Sequence, residues 1–76
     1  MKLKIGSIIL VHGEVFLKGL ENGQKYRVQS TPDYYGSPTY QFTKAKGKKF
    51  ACRHLASSVD MMMDERNLNR IEIVSP

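Results

Sequence analysis

Residues 39–54, TYQFTKAKGKKFACRH, decide the fold class. Tyr40 and Phe42 fall on alternate positions of 39–44, the period of a half-buried strand. Residues 49–54 return as a second extended run. Between the two, Ala45-Lys46-Gly47-Lys48 reads as a tight turn, with Gly47 suited to positive φ because it has no Cβ. The stretch predicts a β-hairpin whose tip carries Lys44, Lys46, Lys48 and Lys49.

Toward the N-terminus the same period recurs. In residues 24–30, QKYRVQS, Tyr26 and Val28 share one face while Lys25, Arg27 and Gln29 share the other. Ile5, Ser7, Ile9 and Val11 alternate with Gly6, Ile8 and Leu10. Both faces are apolar around Ile9, so a central strand is expected there. Residues 14–18, EVFLK, read as a second short extended piece, and Asn22-Gly23 as a turn. Residues 31–38, TPDYYGSP, read as a loop punctuated by Pro32, Gly36 and Pro38.

Toward the C-terminus the period changes. Residues 56–66, ASSVDMMMDER, contain no Gly or Pro. Ser57-Ser58-Val59-Asp60 fits a capping box, with Ser57 as N-cap and Asp60 at N3, and Asn67 and Asn69 are candidate terminators. A helix of two to three turns is expected. Ile71, Ile73 and Val74 then predict a last strand.

The order of strand, arm, strand, loop, hairpin, short helix and strand resembles an SH3-like small β-barrel. In that architecture a long arm follows the first strand, a tight distal hairpin joins the middle strands, and a helical turn precedes the last. The segment 5–13, IGSIILVHG, is similar to the opening of KOW-type barrels, with Ser7 where Asp is usual. The resemblance implies a mainly β fold of about five strands, either a small SH3-like barrel or a curved antiparallel sheet, with one short helix before the last strand.

The whole chain, 1–76, reads as a single domain. With 41% hydrophobic and 25% charged residues it reads as globular and not disordered. No apolar run approaches the ~20 residues of a membrane span, so no membrane partner is expected. Lys2 and Lys4 precede an apolar stretch too short and broken for a secretory leader, with no small-residue cleavage site. The expected location is cytoplasmic. Cys52 is the single cysteine, which excludes a disulfide scaffold. A chain of this length buries only ~60% of its unfolded surface, a thin core that favours a binding module over an enzyme.

The net charge of +5 directs attention to anionic partners. The four lysines of the hairpin tip could straddle phosphates, or simply guard a strand edge against aggregation. Arg27 and Arg53 could extend the basic surface. Tyr34 and Tyr35, in a stretch too polar to bury well, offer stacking faces for bases or anchors for a protein. Tyr26 and Tyr40 sit where core or rim residues belong. Met61, Met62 and Met63 cover ~200° of a helix at ~100° per step. Met62 aligns with Val59 and Arg66 as the core-facing member, with Met63 beside it. Met61 is left as a contact for a partner or a second copy of the chain.

Other chemistry is poorly represented. Phe50, Cys52 and His54 alternate on one strand face. Zinc needs four ligands, however, and His12 is the only other strong donor. An i, i+2 pair on a strand is also too far apart for a nucleophile and its base. The glycines lack the spacing of a phosphate-binding loop. Asp60 and Asp64 share a helix face as solvated carboxylates. The sequence thus predicts no catalytic residue, no metal and no cofactor. It points to a non-enzymatic module that binds DNA or RNA through Lys44, Lys46, Lys48, Lys49, Arg27, Arg53, Tyr34 and Tyr35. The alternative is a protein-interaction module or inhibitor that uses Tyr34, Tyr35 and Met61 against an acidic partner surface. A homodimer is compatible with either.

Overall fold

Period-two alternation becomes strand pairing in the computed structural model of the protein, which describes residues 1–64 and 70–76. The elements are β1 (Ile8–Val11), β2 (Lys25–Ser30), β3 (Asp33–Tyr34), β4 (Ser37–Lys44), β5 (Phe50–Leu55), α1 (Ala56–Met61) and β6 (Ile71–Ser75). All pairings are antiparallel. They run β6-β1-β2-β4-β5, with β3 adding a short hairpin on β4 beyond the end of β2. The path is open, so the second of the two expected geometries, the unclosed antiparallel sheet, is the one found. As expected for a strand apolar on both faces, β1 is central, between β2 and β6.

Three register shifts, at Ile8/Ile9, Val28/Ser30 and Phe42/Thr43, bend the sheet around one side. That inner side holds the core. Ile9, Val11, Tyr26, Val28, Tyr40, Phe42 and Cys52 come from the strands, Ala56 and Val59 from α1, and Leu3 and Leu20 from the irregular segments. The buried hydroxyls are satisfied. Tyr26 accepts from Glu21 N at 2.9 Å. Tyr40 accepts from Leu3 N at 3.0 Å and donates to Asp60 Oδ1 at 2.7 Å, which ties the N-terminal segment, sheet and helix together. Ser7 lies just before β1 and closes a turn there: its Oγ accepts from Lys4 N at 3.1 Å.

The arm between β1 and β2 folds under the open sheet and reaches β5. The His54 Nε2–H donates to the Lys18 carbonyl at 2.7 Å. At Gly19, with φ of +95°, a Cβ would lie 2.7 Å from Cys52 Cβ and 3.1 Å from the Ala51 carbonyl oxygen. The arm thereby covers a side that strand pairing leaves open.

Three expectations are corrected. Residues 14–18 form no strand: Val15 and Leu17 do pack on the core, but Phe16 stands 98% exposed and the segment finds no pairing partner among the described residues. The 31–38 loop contains the β3–β4 hairpin, turned by Tyr35 (φ +49°) and Gly36 (φ +82°). With the two-residue β3 the strands number six, in keeping with the expected sheet of about five. Ser57 is not an N-cap. The chain passes straight from β5 into α1, so extended Leu55 (ψ 135°) takes that place without a side-chain cap, and Asp60 turns to Tyr40 instead. After Met61, helical turns continue through Asp64 by bonds such as Met63 N to Asp60 O, 3.1 Å. The expected contributions of Arg66, Asn67 and Asn69 lie outside the described residues.

Candidate functional site

Register sorts the outward-facing side chains into rows across the sheet. Ile8 is opposite Arg27, Arg27 opposite Thr43, and Thr43 opposite Phe50. In the next row Ser30 meets Gln41 and Gln41 meets Arg53. Thr39 then meets Leu55, and beyond them Ser37 meets Tyr34. These positions share the face opposite the core cluster, because Tyr40 and Phe42 alternate with them on β4, although Thr39 and Thr43 are themselves buried among their neighbours. Lys25, paired with Leu10, joins the same face.

Phe50 is the residue that sequence reasoning missed. Simple alternation puts it with Cys52 and His54. The register shift between Phe42 and Thr43 skips Ala51, so Ala51 packs against the core and Phe50 moves to the outer face, 60% exposed. No local sequence signal marks a bulge at Ala51. Lys25 was visible in the polar alternation of residues 24–30, but its value depends on strand neighbours.

Charge is sharply divided. β2, β4, β5 and the 45–49 turn hold Lys25, Arg27, Lys44, Lys46, Lys48, Lys49 and Arg53, seven of the 12 basic residues, and none of the seven acidic ones. The carboxylates lie elsewhere. Glu14 and Glu21 are in the arm, Asp60 is on the helix beneath the sheet, and Glu72 is on β6, bonded to His12 at 2.7 Å. Asp33 is the nearest in sequence, and alternation places it on the opposite face of β3 from Tyr34.

The predicted site residues are not brought to one point. The lysines cluster at the β4–β5 turn, where Lys44 N donates to the Lys49 carbonyl at 2.8 Å. The tyrosines sit at the other end of β4, whose eight residues span about 23 Å at ~3.3 Å per step. Arg27, Phe50 and Arg53 lie between, which makes a strip of the whole. At the tyrosine end, Tyr34 and Tyr35 meet edge to face with centroids 4.5 Å apart, and the Arg53 guanidinium lies 5.3 Å from the Tyr34 ring centroid. Tyr35 is 92% exposed. Met61 is not brought to the tyrosines. It is exposed at the end of α1, on the core side of the sheet, while Met62 and Met63 pack against the core as expected.

Tyr35 (φ +49°) and Lys48 (φ +58°) are the non-glycine residues with positive φ among those described. Such backbone costs a side-chain-bearing residue ~1–2 kcal/mol, and glycine or asparagine ordinarily takes the position. The strain sits at the two ends of the strip, one residue at each tip.

Cys52 is a buried free thiol that burial pushes up to about 11, so it is neutral near pH 7 and lacks the thiolate a nucleophile needs. His54 is engaged by the arm. Among the described residues no group of three metal-binding side chains converges, and no helix is long and apolar enough to cross a membrane. Comparison with known proteins finds no family model, no curated protein and no solved structure that matches this chain.

Proposed function

We propose that the protein is a non-enzymatic nucleic-acid-binding module whose interface is the outer face of β2, β4 and β5, from the lysine tip to the tyrosine turn. The observation that carries this reading is the charge partition: seven cations and no carboxylate on these strands and their turn, with Lys25, Arg27 and Arg53 on the outer face by register, Lys46, Lys48 and Lys49 in the turn, Lys44 on the other face opposite Tyr26, and the exposed rings of Phe50, Tyr34 and Tyr35 along the same strands. Cations supply affinity by releasing counterions from phosphates. Exposed rings add base stacking, worth ~1–3 kcal/mol per base by alanine substitution, and tolerate any sequence. Phe50, opposite Thr43, stands apart from the Tyr34–Tyr35 pair beside Ser37, so the rings are spread along a sheet face and do not form a groove-sized ridge. That arrangement suits single strands, whose bases can splay onto a surface, better than a duplex. A strip of about 23 Å accommodates on the order of four nucleotides, the low end of known single-strand site sizes.

The test is fluorescence anisotropy with labelled single-stranded and duplex DNA and RNA over a salt series. The reading predicts micromolar or tighter binding to single strands, with a slope of about −0.7 per phosphate contact. Absence of binding to every probe at low salt would refute it.

A further inference from the structure

We infer that the β4–β5 turn is a seat for a phosphate monoester, the terminal phosphate of a bound strand, built from backbone N–H groups as well as lysine ammoniums; this rests on the nucleic-acid reading above. Gly47 (φ +95°) and Lys48 (φ +58°) are consecutive left-handed residues, flanked by Lys46 and Lys49 with negative φ. Where left- and right-handed residues adjoin in a turn, successive N–H groups line an anion-binding concavity. Such a junction occurs twice here, at Lys46-Gly47 and at Lys48-Lys49. The N–H groups of Lys46, Gly47, Lys48 and Lys49 find no acceptor among the described residues. The hairpin end is closed instead by Lys44 N to the Lys49 carbonyl, 2.8 Å, and Ala45 N to the Lys25 carbonyl, 3.2 Å. A Cβ on Gly47 would meet nothing within 4 Å, so glycine serves the backbone angle there and not packing, and the turn is open from outside.

Lys48 separates a seat from a plain loop. Glycine or asparagine would make the same turn with less strain. Lysine there adds a cation beside Lys46 and Lys49, and none of the three has an ion-pair partner among the described residues. The other tip supplies the contrast. Tyr35 and Gly36 are also consecutive left-handed residues, but residues 30–40 contain no lysine or arginine. The donors of the lysine turn exceed what an internal phosphate uses. A diester carries a single charge and two unbridged oxygens. A terminal monoester carries about −1.5 to −2 at pH 7 and three strong acceptor oxygens. The turn also lies past Thr43–Phe50, the last β4–β5 strand pair, and so forms one end of the strip. A strand laid along the sheet face can end there without giving up any other contact.

The experiment is anisotropy titration of the full chain with short oligothymidines of one length. Each carries the label at one end and either a hydroxyl or a phosphate at the other, made in both orientations. In one orientation the phosphate should tighten binding at least about threefold, a modest gain because exposed ion pairs are screened. The orientation that gains gives the direction of the strand on the strip. Lys46→Ala with Lys48→Gly, which keeps the left-handed position, should bring the ratio close to one. Arg27→Gln with Arg53→Gln should weaken every complex and leave the ratio as it is. Inorganic phosphate, added at constant ionic strength, should move the amide protons of Lys46, Gly47, Lys48 and Lys49 downfield and leave those of Tyr35 and Gly36 in place. Equal affinity with and without the phosphate in both orientations, a gain that survives the turn variant, or equal shifts at the two tips would overturn the seat and leave the nucleic-acid reading standing. Failure of every oligomer to bind would overturn both.

Discussion

Replacing Tyr35 by asparagine should separate folding from binding. Tyr35 is 92% exposed, occupies the first position of the β3–β4 turn, and has φ of +49°. A non-glycine residue held there costs ~1–2 kcal/mol, and asparagine escapes much of that cost because its short amide bonds to the local backbone. Against this stands the lost edge-to-face contact with Tyr34, with centroids 4.5 Å apart, worth ~0.5 kcal/mol at an exposed site. The balance favours the variant by about 0.5–1 kcal/mol, or ~2–8 °C in Tm for a domain of this size. Binding should move the other way. Loss of one stacking ring costs ~1–3 kcal/mol, about 5- to 150-fold in Kd. Thermal denaturation by circular dichroism and anisotropy on the same preparation read the two effects. A fall in Tm would mean that Tyr35 is fixed by packing, and the strain argument fails. A raised Tm with unchanged Kd would mean that the ring is not a contact.

Further outcomes follow from the same geometry. Lys46→Ala with Lys48→Ala should flatten the salt slope by about 1.4 for a single strand, as two lost phosphate contacts require, measured by anisotropy over a salt series. Gly19→Ala should destabilise by about 2–4 kcal/mol in urea denaturation, because its Cβ would meet Cys52 and Ala51 at a backbone angle that alanine resists. Met61→Gln should leave oligonucleotide affinity unchanged, since α1 lies on the core side of the sheet. Alkaline pH should weaken the fold in two windows. Burial holds Cys52 near 11 against an ordinary 9.0, and Tyr40 near 12 against 10.0. The fold therefore prefers both groups protonated. Their contributions are complete below the unfolded values and decline from pH 9 to 11 for Cys52 and from pH 10 to 12 for Tyr40. Cys52→Ala and Tyr40→Phe should each flatten stability against pH in its own window, followed by chemical denaturation at stepped pH.

Alternation makes much of the core legible in the sequence. Spacing alone puts Tyr26, Val28, Tyr40 and Phe42 on inward faces, and all four are buried. The 39–54 hairpin and its lysine tip follow from Gly47 and the flanking period. What local pattern could not provide was anything settled by neighbours in space. The Ala51 bulge, an extra residue in β5 opposite the Phe42–Thr43 step of β4, moves Phe50 across the sheet. The β3–β4 turn was hidden because Tyr35 stands where turn chemistry expects asparagine or glycine. Ser57 and Asp60 fit a capping box in spacing, but Tyr40 comes from β4 to claim the carboxylate. The EVFLK segment has strand-like alternation but pairs with no strand among the described residues, and becomes part of the arm that supports β5. The separation of the two tips along β4 follows only from strand register, which puts Thr43 and Phe50 near one end of the strand and Ser37 and Tyr34 at the other. That separation changes the site from a basic point into a strip.

The most direct test of that strip is backbone amide chemical-shift mapping of the isotopically labelled protein during titration with a short single-stranded oligonucleotide. The account predicts that perturbations follow one face over its full length, from Lys46 and Lys48 through Arg27, Phe50 and Arg53 to Tyr34 and Tyr35. Residues of the arm around Phe16, and of β6, should stay in place. Shifts confined to the arm or to β6, or to the lysine turn with Phe50, Arg53 and the tyrosines unmoved, would contradict it.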